Sequence, residues 1–284
     1  MDHEIHGSRL QIRNLTGKFA KNVDPASIAG WRGTSTATRS RMGRIQAVLL
    51  DVDGTLLDSN DAHAHAWIDA LRGHGRDVPF DLVRSKIGMG GDKLLMDVAG
   101  IDHESVEGKL LIERRFAVLK AHYLPDLGPT PGARALVQRL RSRHLRCMVV
   151  TSANKEELAD LLREAAVADL LVEAITASDA DASKPEPDLV EAALDKLGLG
   201  PREVVMVGDT PYDILAATRA GVSTIALRCG GWRDRDLEGA IAIYDHPADL
   251  LSRMDQSPLA LGVDDVMPAP PVSRRRRPAA PARP

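Results

Sequence analysis

Aromatic residues are scarce in this sequence: Phe, Trp and Tyr together make up 3% of its 284 residues. Proteins that bind single-stranded nucleic acid stack the bases on aromatic side chains, so the composition argues against such a platform. Charge of one sign is also lacking, because the formal net charge is only −3. No strongly basic surface is indicated, and we expect no nucleic-acid partner.

Cysteine is rare too, and the two that occur, Cys147 and Cys229, have no spacing with each other that suits a metal site. Both lie in apolar runs, which favours thiols that pack in the interior of a protein kept in a reducing compartment. No apolar run is long enough to span a bilayer, and the N-terminus has no signal-peptide pattern. We therefore expect a soluble cytoplasmic protein with no membrane partner.

What the sequence does have is a set of near-continuous apolar runs that alternate with helical patterns. Such runs are typical of strands buried on both faces of a parallel sheet. The runs cover residues 46–52, 146–152, 203–209 and 222–227. The helical patterns cover residues 132–143, 155–165, 188–197 and 212–220. This alternation predicts an α/β fold with a doubly wound, Rossmann-like parallel sheet.

One segment breaks the alternation, because residues 59–127 contain helical patterns and no good strand. We predict an all-helical cap there, inserted into a catalytic core of residues 44–58 and 128–255. The polar residues 1–43 and the Pro- and Arg-rich residues 256–284 are expected to be disordered. Met42, just before the first strand, is a candidate start of translation. Alternatives are a docking extension at the N-terminus and an electrostatic anchor formed by the four arginines of residues 274–277.

Acidic residues follow the first predicted strand, in the segment Asp51-Val52-Asp53-Gly54. Ligands of open parallel sheets bind beyond the carboxyl ends of the strands. Residues two apart in an extended segment point the same way, so both carboxylates can address one site. Their repulsion calls for a cation or a shared proton, and Gly54 lets a ligand approach the backbone. A simple turn is the alternative for this segment alone.

Thr151 and Ser152 follow the second strand, and a helix begins directly after them. A hydroxyl beside the free N–H groups of a helix N-terminus forms an anion site, although simple N-capping by Ser152 or Asn154 explains the pattern as well. Lys184 lies between an acidic loop and two prolines, where a positioned ammonium would neutralise a developing negative charge. The alternative is a surface lysine in a turn.

Two further acids, Asp209 and Asp213, follow the strand at residues 203–209. Asp209 comes after an apolar strand, where an acid without a partner is costly. Asp213 can face the same crevice. The alternative is that it is an acid in the first turn of a helix, where the helix dipole stabilises a negative charge. Three acids, a hydroxyl and a lysine thus fall at the ends of different strands, a set that suits Mg²⁺ and a phosphate group.

Four segments, DVDGT, TSA, SKPEPD and GDTPYD, occur in this order along the chain. In combination they resemble the haloacid-dehalogenase-like hydrolase superfamily, over residues 44–255. The helical insert and residues 243–251 resemble the branch that contains phosphoglycolate phosphatases and β-phosphoglucomutases. The resemblance implies a Mg²⁺-dependent phosphatase that acts on a small phosphorylated metabolite, as a monomer or a homodimer.

The resemblance also implies catalytic roles. Asp51 would attack phosphorus and form an aspartyl-phosphate, and Asp53 would protonate the leaving alcohol and then activate water. Thr151 would hold a phosphoryl oxygen, and Lys184 would offset charge between Asp51 and the phosphate.

Binding roles follow from the same resemblance. The backbone N–H groups of Asp53, Gly54 and Ser152 would help to hold the phosphate. The implied ligands of Mg²⁺ are the carboxylate of Asp51, the backbone carbonyl of Asp53, Asp209 and, through water, Asp213.

Within the superfamily, Asp53 argues against a dehalogenase, which lacks an acid at that position. A mutase is the main alternative, because His63 and Trp67 match a pattern of β-phosphoglucomutases. Residues 88–93, however, have no arginine for a second phosphate, and GDTPYD is the phosphatase form. A catalytically idle binding module on this fold is a third alternative.

The cap is expected to select the substrate, with His63, Gly90 and Lys93 as its candidate contacts. Glycines let the backbone approach a ligand or move during closure. His63 and Trp67 also lie at helical spacing, so packing is the alternative for this histidine.

Overall fold

The computed structural model describes residues 44–261, and the predictions for residues 1–43 and 262–284 lie outside this range. Six parallel strands form one sheet in the order β3-β2-β1-β4-β5-β6. They are β1 (Ala47–Leu50), β2 (Arg146–Val150), β3 (Ala174–Ile175), β4 (Val204–Gly208), β5 (Ser223–Leu227) and β6 (Ala242–Tyr244). This order is that of a doubly wound Rossmann-like sheet, so the predicted fold class is confirmed.

The helices expected at residues 132–143, 155–165, 188–197 and 212–220 are present, with small shifts at their ends. Four lie within residues 59–127: α1 (Asn60–Arg72), α2 (Phe80–Arg84), α3 (Gly91–Ala99) and α4 (Val106–Val118). Six follow: α5 (Ala133–Ser142), α6 (Lys155–Glu164), α7 (Asp188–Leu197), α8 (Pro211–Arg219), α9 (Pro247–Ser252) and α10 (Pro258–Leu261).

Both faces of the sheet are covered, which explains why its strands are apolar at successive positions. Val48 and Leu50 of β1 face a cluster that includes α5, α6 and α9. Ala47 and Leu49 face the other way, into a cluster with α7 and α8. Successive side chains of a strand point to opposite faces, so both sets must be apolar when both faces are buried.

Two details differ from the sequence analysis. The strand β3 was not predicted, because its two residues are too few to show a periodic pattern. The predicted tail begins too early at residue 256, since the chain continues into α10. There Ser257 is fully buried and Leu259 is 7% exposed, so this short helix packs against the body.

Residues 59–127, which we call the cap, form helices around a hydrophobic cluster of their own. Its largest members are Trp67, Leu71, Leu94, Leu95 and Leu111, all at most 3% exposed. No strand lies in this segment, all of which the structure describes. Within residues 44–261, no helix is both long and apolar enough to cross a membrane.

Candidate active site

The predicted site residues meet at the carboxyl edge of the sheet, where its strand order reverses direction. β1 lies between β2 and β4, so the residues that follow these three strands are neighbours. Asp51 follows β1, Thr151 follows β2 and Asp209 follows β4. Crevices at this edge are the usual ligand sites of doubly wound sheets.

Lys184 lies inside this crevice and is 1% exposed. Its Nζ is 2.6 Å from Asp51 Oδ1 and 2.7 Å from Asp213 Oδ1, and it also donates to the carbonyl oxygen of Val150 at 2.9 Å. Burial opposes the charged ammonium, but the carboxylates of Asp213 and Asp51 outweigh it and raise the pKa of Lys184 above its usual range. The surface-lysine interpretation is therefore wrong.

Asp51, Asp209 and Asp213 form a buried cluster of carboxylates, with an oxygen of each within 4.8 Å of the others. Burial, against the opposing effect of Lys184, raises the pKa of Asp51 to about 7. Burial also raises the pKa of Asp209, and the nearby charges of Asp51 and Asp213 add to it. Three carboxylates therefore share one ammonium, and the excess negative charge would be relieved by a cation.

Asp209 is held by two residues that sequence reasoning missed. Thr55 Oγ1 donates to Asp209 Oδ1 at 3.0 Å, and Asn60 Nδ2 donates to Asp209 Oδ2 at 2.8 Å. Gly54 makes this contact possible, because a Cβ there would lie 2.2 Å from Asn60 Nδ2 and 2.3 Å from Asp209 Oδ2. A polar residue shortly after a strand-end acid is the sequence signal for such partners, but many surface residues share it.

The N–H of Gly54, expected to bind phosphate, is engaged elsewhere, which corrects that expectation. It donates to the carbonyl oxygen of Leu57 at 2.7 Å and closes the turn after β1. Gly54 itself has a φ of +75°, a conformation that glycine adopts without steric cost. Its contribution is therefore the shape of the turn and the space that it leaves for Asp209.

Asp213 both faces the crevice and stabilises the start of a helix, so the two interpretations of its position apply together. Its Oδ2 accepts hydrogen bonds from the N–H and the hydroxyl of Thr210, at 3.0 Å and 2.7 Å, in a capping box at the start of α8. Its other oxygen, Oδ1, is the one that faces Lys184. The helix start thus fixes the direction of a carboxylate in the cluster.

Asp53 points towards the cap. Its Oδ1 accepts from Ser59 Oγ at 2.6 Å and lies 2.7 Å from His63 Nε2. Burial disfavours both charged groups, but their mutual attraction prevails: it lowers the pKa of Asp53 and raises that of His63. His63 therefore does more than pack, because it orients the second acid of the DVDGT segment.

Thr151 and Ser152 lie in the wall of a cavity of about 60 Å³ that Asp51 and Asp53 also line. Thr151 Oγ1 accepts from the N–H of Ala153 at 3.1 Å, so its proton remains available to donate. Asn154 is the N-cap of α6, since its side chain accepts from the N–H of Glu157 at 2.9 Å. The side chains of Thr151 and Ser152 therefore do not cap this helix, and both residues line the cavity.

Two charged residues of this cavity were missed, Arg115 of the cap and Glu157 of the core. They form a bidentate ion pair, with Arg115 Nη2 donating to Glu157 Oε2 at 3.1 Å and Nη1 donating to Oε1. Glu157 is an acid in the first turn of α6, a common place for one, and Arg115 lies in the charged run Glu113-Arg114-Arg115. Only the docking of cap on core brings the two together.

Gly90 and Lys93, predicted as substrate contacts, lie instead where the cap meets the loop before α7. Lys93 Nζ donates to the carbonyl oxygen of Ser183 at 2.9 Å and is 3.3 Å from Glu186 Oε1. A Cβ on Gly90 would lie 2.1 Å from Ser183 Oγ. Both residues therefore allow close packing of cap on core, while Gly88 and Gly91 are the glycines that line the 60 Å³ cavity.

Comparison with known proteins agrees with this geometry. A family model described as haloacid dehalogenase-like hydrolase matches residues 45–221. The validoxylamine A 7′-phosphate phosphatase of Streptomyces hygroscopicus subsp. limoneus is 31% identical, over 64% of this chain and 85% of its own length. The phosphoglycolate phosphatase of Rhodospirillum rubrum is 30% identical, over 72% of this chain and 89% of its own.

A solved structure, of a hydrolase from Pseudomonas syringae, is also similar. It is 29% identical to this chain, with a TM-score of 0.70, and the match covers 74% of this chain and 98% of that one. Sheet and cap are thus shared with a protein of almost the same extent as the described residues.

Proposed function

This chain belongs to the haloacid dehalogenase-like hydrolase family and is a phosphatase, and we propose that it hydrolyses a small phosphomonoester through an aspartyl-phosphate on Asp51. The observation that carries the proposal is the contact between Asp51 and the buried ammonium of Lys184, 2.6 Å apart at the floor of the cavity. A carboxylate held beside a fixed positive charge can attack a phosphate dianion without prohibitive repulsion.

In the first step, an oxygen of Asp51 forms a bond to phosphorus while the bond from phosphorus to the alcohol oxygen breaks. Asp53 supplies the proton that the departing alkoxide needs. The lowered pKa of Asp53 and the raised pKa of His63 favour a proton on His63 across the 2.7 Å contact, and its transfer to Asp53 would prepare the acid. The products of this step are the free alcohol and the aspartyl-phosphate.

In the second step, a water molecule attacks the phosphorus of the aspartyl-phosphate and gives its proton to Asp53. The bond between phosphorus and Asp51 breaks, which releases inorganic phosphate and restores the carboxylate. Lys184 offsets the negative charge in both steps, and the Thr151 hydroxyl donates to a phosphoryl oxygen.

The carboxylates of Asp51, Asp209 and Asp213 and the backbone carbonyl of Asp53 are the groups that would hold Mg²⁺. All are oxygen donors, which Mg²⁺ prefers, and the raised pKa values of Asp51 and Asp209 agree with a cluster that lacks positive charge. When bound, the ion supplies charge neutralisation for the phosphate.

The substrate we propose is a small phosphorylated metabolite, and the place of action is the cytoplasm, which agrees with the two free cysteines. The relatives' names point to different phosphate esters, so they support the phosphoryl group and leave the alcohol open.

Hydrolysis of p-nitrophenyl phosphate tests the proposal, because this ester needs no recognition by the cap. We expect turnover with Mg²⁺, and loss of turnover when the ion is removed by a chelator and recovery when it is returned. Equal rates with and without the ion would contradict the metal assignment, and no turnover in its presence would contradict the phosphatase.

A further inference from the structure

The ion pair between Arg115 and Glu157 forms part of the wall of the active site. Arg115 is 9% exposed and Glu157 is 1% exposed. The guanidinium also lies 5.2 Å from the centre of the Trp67 ring, and its Nη1 is 3.4 Å from His63 Nδ1. The pair is therefore held from several sides, and it stands directly beside the residues that face the phosphate.

The pair lines two cavities. The inner cavity, which contains Asp51, measures about 60 Å³. A second cavity of about 230 Å³ is lined by residues of both the cap and the core. Arg115 and Glu157 line both of them. The inner space suits a few water molecules or one phosphoryl group, so we expect the alcohol of a substrate to extend along this pair towards the second cavity.

The charged side chains that line these two cavities carry most of the argument. Among the described residues, Arg115 is the only lysine or arginine that lines either of these two cavities. Its Nη groups are already paired with Glu157. The outer cavity adds the carboxylates of Asp92 and Asp181, and its one histidine, His103, is close to Asp102 and Glu104. Within residues 44–261, the lining of these two cavities therefore offers no uncommitted lysine or arginine to receive a second anion.

Hydrogen-bonding capacity, in contrast, is present along the same path. Within residues 44–261, Arg115 Nε and Ser152 Oγ are buried and have no hydrogen-bond partner. Buried polar atoms of this kind normally have one. Arg115 can only donate, the hydroxyl of Ser152 can donate or accept, and the Glu157 carboxylate can accept. A wall with both donors and acceptors suits the hydroxyl groups of an alcohol.

We propose that the leaving group of the substrate is an uncharged, hydroxylated alcohol that is recognised by Arg115 and Glu157. A leaving group that carries a carboxylate or a second phosphate is disfavoured, because Glu157 neutralises the cation that would bind it. This inference rests on the proposed phosphatase function and defines the substrate class of that site.

The test uses two esters of the same size, 2-hydroxyethyl phosphate and phosphoglycolate, which differ in a hydroxymethyl against a carboxylate group. We expect kcat/KM of the wild type to be at least about 10-fold higher for the uncharged ester, because one lost charge contact changes affinity by this order. In Glu157→Gln the guanidinium is no longer neutralised. The ratio of the two kcat/KM values should then move towards phosphoglycolate by at least about 10-fold.

Two further variants separate charge from packing. Glu156→Gln, on the exposed side of the same helix, is the matched control and should leave the ratio unchanged. The double variant Arg115→Gln/Glu157→Gln removes both charges, so its ratio should return towards that of the wild type. The melting temperature of each variant checks that the fold persists, and the ratio of the two kcat/KM values cancels any change in rate that both esters share.

A wild type that prefers phosphoglycolate would overturn the proposal, and so would a ratio that Glu157→Gln leaves unchanged. If Glu157→Gln fails to fold, the preference of the wild type decides alone. Failure of the wild type to hydrolyse p-nitrophenyl phosphate with Mg²⁺ would instead refute the phosphatase function, and this inference with it.

Discussion

Buried charges occur both at the carboxyl edge of the sheet and in the wall where the Arg115 side of the cap meets Glu157 of the core, here called the cap wall, but they are balanced differently. At the sheet edge, three carboxylates share the single ammonium of Lys184. In the cap wall, one guanidinium faces one carboxylate, in the pair Arg115–Glu157. An unbalanced cluster attracts a cation and is suited to chemistry, whereas a balanced pair adds no net field and is suited to selection.

The largest effect is expected when the ammonium of Lys184 is taken away from the three carboxylates at the sheet edge. Lys184→Met keeps most of the side-chain volume and deletes the ammonium. We expect kcat for p-nitrophenyl phosphate to fall by about 10²- to 10³-fold, because the charge that builds on phosphate loses its fixed partner. Steady-state kinetics at saturating Mg²⁺ measures the effect.

The control for that variant is Lys109→Met, which removes an exposed lysine of the cap. It should keep wild-type kinetics. Circular dichroism on both variants checks the fold, since uncompensated buried carboxylates cost about 3–5 kcal/mol. A Lys184→Met protein that is folded and turns over at nearly the wild-type rate would remove the electrostatic role of this lysine.

A second prediction concerns the cation that the unbalanced cluster should attract. Mg²⁺ at about 100 times its dissociation constant should stabilise the wild type by about 2.7 kcal/mol, because it binds the folded chain only. Asp209→Asn should lose at least half of this gain. Thermal melting with and without the ion measures it.

Asp77→Asn serves as the comparison, because the side chain of Asp77 is 89% exposed and lies in the loop before α2. Its Mg²⁺-dependent shift should equal that of the wild type. A shift in Asp209→Asn as large as in the wild type would argue that the ion binds elsewhere.

The two regions also differ in how far their residues could be predicted. Asp51, Thr151 and Asp209 each follow an apolar strand, and parallel strands bring their carboxyl ends to one edge, so local pattern and topology suffice. Arg115 and Glu157 carry no such signal. Each lies on a helix among other charged residues, and only the docking of α4 over α6 decides that they are buried together.

Lys93 is a second residue whose contacts across the boundary of cap and core could not be predicted from the sequence. Its position beside the glycines of residues 88–91 favoured a substrate contact, because such a loop can approach a ligand. The actual partners, the Ser183 carbonyl and Glu186, lie about ninety residues further along the chain. Sequence spacing within the cap holds no information about them.

The smallest expected effect comes from this residue. In Lys93→Met, kcat/KM should change by no more than about 3-fold, because partly exposed ion pairs contribute little. Kinetics with p-nitrophenyl phosphate and with a panel of phosphorylated metabolites checks this. A loss above about 100-fold that is confined to the metabolites would return Lys93 to the substrate site.

The most direct test of the account is to trap the phosphoenzyme. Wild type and Asp51→Asn are mixed with p-nitrophenyl phosphate labelled in the phosphoryl group, quenched in acid within one turnover, and digested for mass spectrometry. We predict label on the wild-type peptide that contains Asp51, sensitive to hydroxylamine, and none in Asp51→Asn, whose kcat should fall by at least about 10⁴-fold. Label on another residue, or an Asp51→Asn protein that still turns over, would contradict the account.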